Sequence, residues 1–323
     1  MKLIFRKVTT LIYKLFPQYI QRLFTDIISQ RRPTDFFPNF DNIFVGFFYR
    51  FPWVRNKFLK FDQIFFKDHL VGNSKQFDFA FSKDELISFE KYGITTFFNT
   101  KKEKLETIYN QLDKSYLDWN GTLVKKTVTE ILNMDDSHFE MPNASYKDLG
   151  MNKQLIEIAT CPSLINFVSG YLKSSSLTFE IIAWWTFPYQ NSSMYENGNY
   201  DQARRYHFDH LGRRTCKVLI YLTDVNIDNG PHSYIRNSHK KKPFMVSLKL
   251  LRLFGSDLEK YVKKDDDWLV ITGEVGKSFL MDPFGLHCGI APKKPRLVFE
   301  IIYYVGPFSY NHFSTNIVAS ELQ

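Results

Sequence analysis

The sequence predicts an α+β fold in which helices precede a double-sheet jelly roll, with a further helical extension at the N-terminus. The prediction rests on a change of period. Up to about residue 172 the apolar residues recur mainly at helical spacing. From Leu177 onward they form short β-prone runs parted by turns that contain Gly and Pro. Seven or eight such runs in succession suit a jelly roll.

The chain divides into an extension and connector over 1–75 and a jelly-roll domain over 76–323. Residues 3–16 spell an amphipathic helix, with Ile4, Phe5, Val8, Leu11, Ile12, Leu15 and Phe16 on one face and Lys2, Arg6, Lys7 and Lys14 opposite. Pro17 ends it. A second helix follows at about 18–30, closed by Pro33, and residues 33–75 carry no clear period. Regular structure resumes at Ser82-Lys83-Asp84-Glu85, a capping-box spelling, and the helix it starts stops at Gly93. A strand is expected at Ile94–Phe98, then a helix through Leu105, Ile108, Tyr109, Leu112 and Tyr116, a turn at Asn120-Gly121, and two helices over 152–172 divided at Pro162.

Strands are expected at Leu177–Phe187, 205–209, Thr215–Leu222, Trp268–Thr272, Lys277–Met281 and Arg296–Tyr304. Asn229-Gly230-Pro231 is a turn, and Lys240–Asp267 reads as a charged, partly helical insertion over one end of the sheet.

Charge and cysteine usage bound the partners and the compartment. Residues 1–32 carry seven basic residues against Asp26 alone, and so six of the eight net positive charges of the chain. No basic face interleaved with a nucleic-acid motif accompanies them, so nucleic acid is not an expected partner. A helical pair docked on the domain, a basic anchor on an anionic membrane surface and a targeting peptide all fit that segment. A secretory signal does not, because Lys14 interrupts the apolar run and no small-residue cleavage site follows. No apolar run is long enough for a transmembrane helix. Three cysteines, Cys161, Cys216 and Cys288, form no metal-type pair and are odd in number, which suits a reducing cytoplasm.

The chemistry centres on His207-Phe208-Asp209. On a strand, His207 and Asp209 project from one face about 7 Å apart along the chain. A distant third ligand, His287, would complete the 2-His-1-carboxylate facial arrangement that holds non-haem Fe(II) and leaves the opposite face open. The plain alternatives are a surface His–Asp pair and a loop histidine bonded to a carbonyl. Arg296 opens the last strand, where its guanidinium could clamp a carboxylate bidentately, as the far end of a 2-oxo acid requires. An ion pair with Glu300 on the same face is the equal alternative. Arg204, Arg205, Arg213 and Arg214 bracket the metal strand, either as contacts for an anionic substrate or as solvated loop charges.

An ordered set of motifs connects these residues. After His207-x-Asp209 come Lys217-Val-Leu-Ile-Tyr-Leu-Thr-Asp224, Asn229-Gly-Pro231, Ile235-Arg-Asn-Ser238-His239-Lys240, Gly273, Gly276, Asp282, His287 and Arg296. Over roughly 78–305 this resembles the phytanoyl-CoA dioxygenase family of Fe(II)- and 2-oxoglutarate-dependent oxygenases. The resemblance implies a double-stranded β-helix, a cupin-like jelly roll with flanking helices. It implies iron on His207, Asp209 and His287 and the distal carboxylate of 2-oxoglutarate on Arg296, with Thr272 and Lys217 as candidates for the second clamp. It implies that Ser238-His239 is structural. Relatives that halogenate have a small residue where Asp209 stands, so its presence favours hydroxylation.

The expected activity is that of a dioxygenase that consumes O₂ and 2-oxoglutarate, hydroxylates a small organic or lipid-linked substrate, and releases succinate and CO₂. The competing expectation is a non-catalytic jelly-roll binding module of the same descent. Localisation is expected to be cytoplasmic, with peripheral membrane contact through residues 1–32 as a further expectation.

Overall fold

A computed structural model of the chain describes residues 51–53, 82–135, 139, 142–174, 176–188, 205–209, 215–248, 258–259, 267–304 and 315–318. All of them fall in one compact unit, Arg50–Gln323. The two N-terminal helices and nearly all of the connector expected over 1–75 lie outside the described residues.

Local chemistry sets the helices. In α1 (Lys83–Tyr92) the Ser82 side chain accepts from Glu85 N–H while the Glu85 carboxylate accepts from Ser82 N–H, and Gly93 ends the helix at φ 74°. Helix α2 (Lys102–Leu112) buries Leu105, Ile108 and Leu112, whereas Tyr116 lies beyond its end. The five-residue α3 (Val128–Leu132), capped by Thr127 and Glu130, was not legible as a separate helix. Helices α4 (Lys153–Ala159) and α5 (Pro162–Leu172) part where expected, with Pro162 opening α5, where its missing N–H costs nothing. Among the described residues no single helix is long and apolar enough to cross a membrane. The α4–α5 pair passes that test only together, across a 52° bend.

Among the described residues twelve strands follow or interleave: β1 Ile94–Asn99, β2 Leu117–Trp119, β3 Thr122–Val124, β4 Asn143–Tyr146, β5 Ser176–Thr186, β6 Thr215–Tyr221, β7 His232–Ile235, β8 Trp268–Ile271, β9 Lys277–Met281, β10 His287–Gly289, β11 Arg296–Tyr304 and β12 Thr315–Val318. The Asn120-Gly121 pair, both at positive φ, turns β2 into β3 as a two-residue hairpin loop. All pairings are antiparallel. A large sheet runs β1-β9-β6-β11-β5-β4-β2-β3, with β12 also on β5, and a small sheet runs β10-β7-β8.

Alternation splits the large sheet into two faces. Leu297, Phe299, Ile301 and Tyr303 of β11, with Cys216, Val218 and Ile220 of β6, enter the core shared with α1, α2, α4 and α5. Burying such a side chain is worth about 1.5–3 kcal/mol, so this row anchors β11 at the centre of the sheet. The opposite face packs Leu219, Tyr221, Phe279, Met281 and Val298 against Tyr234, Ile271 and Leu269 of the small sheet. The same face also carries Lys217, Arg296 and Glu300, polar groups that a purely structural sheet interior would exclude.

Candidate metal centre

Residues 205–209 do not form a full strand. They pair with β10 through one bridge, in which His207 N–H donates to His287 O (3.0 Å) and His287 N–H donates to His207 O (2.9 Å). Asp209 N–H then donates to Pro283 O at 2.8 Å. The expected alternation nevertheless holds. Tyr206 and Phe208 point into a cluster on the outer side of the small sheet with Ile235, Val246, Phe284, Leu286 and Cys288. His207 and Asp209 therefore face the other way. Residues that exchange both backbone bonds project their side chains from the same face, so the ladder itself sets His287 beside His207. Their ring centroids are 4.4 Å apart.

The loop before His287 is built by side chains. The Asp282 carboxylate accepts from Phe284 N–H at 2.9 Å and from the Tyr171 hydroxyl. Tyr234 O–H donates to Asp282 O (3.0 Å), and a Cβ on Gly285 would strike that same tyrosine ring, so only glycine lets the loop pass. Ser238 Oγ donates to Ile235 O (2.5 Å) and accepts from Leu286 N–H (2.7 Å). His239 Nε2 lies 3.1 Å from Glu90 O. These contacts give the Ser238-His239 pair the structural place expected for it. Lys242 lies over the rings of Phe208 and Phe284 at 4.2 and 3.4 Å and donates to Phe284 O, tying together the two segments that bear the ligands.

One nitrogen of each of these two histidines is committed. His207 Nδ1 lies 2.8 Å from Arg205 O and His287 Nδ1 lies 2.9 Å from Gly285 O. A carbonyl only accepts, so each Nδ1 carries the proton and each Nε2 presents a lone pair. Asp209 Oδ1 lies 3.6 Å from His207 Nε2, and Oδ2 lies 3.7 Å from His287 Nε2. All three donor atoms are within 4.8 Å of one another.

Electrostatics set their charge states. Burial, together with His207 alongside, pushes the His287 imidazole down to about 3, against the pull of Asp209. Burial alone would raise the Asp209 carboxyl, but Lys217, His287 and His207 outweigh it and hold the group well below the carboxylate range. A neutral imidazole beside an ionised carboxylate, with a second imidazole lone pair completing the set, is what a divalent iron requires.

Residues 174–287 match the family model of phytanoyl-CoA dioxygenase (PhyH), and that segment contains all three donors. The chain resembles the phytanoyl-CoA dioxygenase family. Arg296 lies beyond the matched residues. Solved structures similar to the chain include HygX from Streptomyces hygroscopicus with nickel, 2-oxoglutarate and hygromycin B bound, at 13% identity, 71% coverage of this chain and 90% of that one, and a TM-score of 0.46. The non-haem α-ketoglutarate-dependent epimerase SnoN from nogalamycin biosynthesis is similar at 11% identity, with 68% and 80% coverage and a TM-score of 0.43. A nickel complex of the non-haem monooxygenase ThoJ is similar at 14% identity, with 67% and 75% coverage and a TM-score of 0.39. Among curated proteins none matches the sequence. Residues 174–287 thus carry both the family match and a donor set of the kind that holds non-haem iron.

The other expected site residues fall differently. Lys217 is enclosed and bridges Asp209 Oδ2 (2.9 Å) and Glu300 Oε1 (3.0 Å). Burial opposes its charge, yet the two carboxylates hold its pKa above the lysine range. It is thus engaged with Asp209 and Glu300 rather than held ready for a co-substrate. Thr272 is exposed just past β8, a poor place from which to hold an enclosed carboxylate. Arg296 is buried and donates to Gly230 O and to Thr186 Oγ1 (3.4 Å), while Glu300 takes Lys217 as its partner. Sequence reasoning set His232 aside as near the site in sequence only, yet its ring stacks on His287 with centroids 5.5 Å apart at 19°. A lone histidine after Gly230-Pro231 gave no periodic signal. Arg204, Arg213 and Arg214, with most of 188–203 and of 249–266, lie outside the described residues.

Proposed function

We propose that the chain is an Fe(II)- and 2-oxoglutarate-dependent dioxygenase that hydroxylates a small organic or lipid-linked substrate. The reading rests above all on the converging donors: two imidazole nitrogens freed by Nδ1-to-carbonyl bonds, and one carboxylate. His207, Asp209 and His287 would hold the iron. With 2-oxoglutarate and O₂, bound iron supplies the oxidant, one oxygen atom going to the substrate C–H and the other to succinate as CO₂ is lost.

The protein's own residues orient and exclude. Lys217 keeps Asp209 ionised and fixes its carboxylate plane. Arg296 would clamp the distal carboxylate of 2-oxoglutarate, since it shares the inner face of the large sheet with Lys217 and Glu300. The core between the sheets keeps bulk water from one side of the site. Two antiparallel sheets facing each other across it support the double-stranded β-helix reading of the fold. Cys161, Cys216 and Cys288 are buried thiols outside any disulfide, which is compatible with the cytoplasmic placement. The substrate class follows the family resemblance.

The test is anaerobic addition of Fe(II) and 2-oxoglutarate, read as a weak visible absorption band, followed by O₂ and assay of succinate. His207→Ala and His287→Ala are each expected to abolish both signals. Band and turnover surviving either substitution would refute the assignment, and a wild-type protein with neither signal would be a non-catalytic binding module.

A further inference from the structure

His232 opens β7, opposite Ile271 of β8 and Gly289 of β10, and its backbone N–H donates to the Tyr221 hydroxyl at 2.9 Å. Alternation along β7 places it on the face of Tyr234, toward the large sheet. Its ring lies against two others: His287, and Phe279 at 5.6 Å and 43°. The residue is 9% exposed, and its Nε2 is fully enclosed with no hydrogen-bond partner. A buried polar atom left so is uncommon in a folded protein and points to a group that binds there.

The surroundings say which kind of group. The ring stacks on His287, and Gly230, two residues before it, accepts from Arg296 through its carbonyl. A molecule reaching from the triad to Arg296 would meet this nitrogen, and an imidazole Nε2–H can donate to a carboxylate there. The two residues the sequence suggested for this duty are placed elsewhere, Thr272 in solvent and Lys217 between Asp209 and Glu300.

We infer that His232 is the second clamp on 2-oxoglutarate, donating from Nε2 to the distal carboxylate beside Arg296. The inference deepens the oxygenase reading and rests on it. His232 is a binding and positioning residue here, not a ligand of the iron.

The test uses the full chain loaded anaerobically with Fe(II), titrated with 2-oxoglutarate and, separately, with pyruvate, which keeps the 2-oxo acid but lacks the distal carboxylate. Binding is read by the visible band and by calorimetry. His232→Phe keeps a ring on His287 and removes the donor. It is expected to raise the 2-oxoglutarate Kd roughly ten- to hundredfold, the loss of one hydrogen bond to a charged group, while leaving Fe(II) and pyruvate binding within about twofold. His232→Gln, whose amide reaches the Nε2 position, should recover most of the affinity, and His232→Asn, which stops at the Nδ1 position, should not. Unchanged 2-oxoglutarate affinity in His232→Phe, equal weakening toward pyruvate, or loss of iron would each overturn the inference. If His232→Phe does not fold, the Asn and Gln variants decide it, and equal 2-oxoglutarate affinity in those two overturns it. A wild-type protein that binds iron but no 2-oxoglutarate would sink the oxygenase reading itself, a different and separately visible result.

Discussion

Lys217→Met offers a quantitative trial of the site's electrostatics. Lys217 lies between two carboxylates, with side-chain exposures of 12% for Lys217, 19% for Asp209 and 6% for Glu300. Methionine keeps most of the stem's volume and deletes the charge. Removing one partner from a buried ion pair costs about 3–5 kcal/mol, because the other charge stays behind uncompensated. Burial already raises the Glu300 pKa, so Glu300 takes up a proton and only Asp209 remains charged, which sets the cost near the lower end. A loss of ~3 kcal/mol corresponds to a fall in Tm of about 4–5 °C for a chain of 323 residues. Thermal unfolding in EDTA would measure it. A divalent ion restores the missing positive charge at Asp209, so Co(II) should raise the Tm of the variant by more degrees than that of the wild type. An apo Tm unchanged within about 1 °C, or equal Co(II) stabilisation of both proteins, would refute the reasoning that lysine and metal share one carboxylate.

Other outcomes follow from the same geometry. Arg296→Lys should weaken 2-oxoglutarate binding about tenfold or more with iron binding intact, because an ammonium cannot reproduce the guanidinium fork; calorimetry showing an unchanged affinity would move the clamp elsewhere. His287 at about 3 and His232 well down both lie below the unfolded value, so the unfolded chain binds more protons and apo stability falls as pH drops below about 6.5. Urea unfolding between pH 6.5 and 5.5 should register about 1 kcal/mol per histidine, and His287→Phe should remove one share. For residues 1–32, the excess of basic charge predicts salt-sensitive co-sedimentation with anionic vesicles that a chain lacking them does not show; equal binding by both proteins would remove the membrane expectation.

Where neighbours in sequence decide the structure, the sequence was readable. Ser82 and Glu85 announced α1, Pro162 announced α5, and β9 and β11 run over the residues their composition indicated. The alternation that sends Phe208 outward and His207 and Asp209 inward could be written down without coordinates. What escaped depends on partners far along the chain. Strands as short as β7 and β10 have too few residues to show a period and exist because each pairs with the other. His232 meets His287 only through that pairing, and Lys217 meets Asp209 and Glu300 only because β6 lies beside β11. Thr272 looked suitable by residue type, but residue type does not say which end of a strand faces the site.

The segment 205–209, which carries His207 and Asp209, borders the small sheet beside β10, held by the paired bonds of His207 with His287 and by that of Asp209 with Pro283. Every one of those bonds belongs to the backbone and is indifferent to the side chains at 207 and 209. Evolution can therefore rewrite the ligand positions while the ladder, the loop from Asp282 to Leu286 and both cores stay as they are. A carboxylate exchanged for a small residue would leave these backbone bonds in place, and its cost would fall on Lys217, the buried partner left behind. Such a scaffold is evolvable at its chemical centre, and descent along it conserves shape more faithfully than activity.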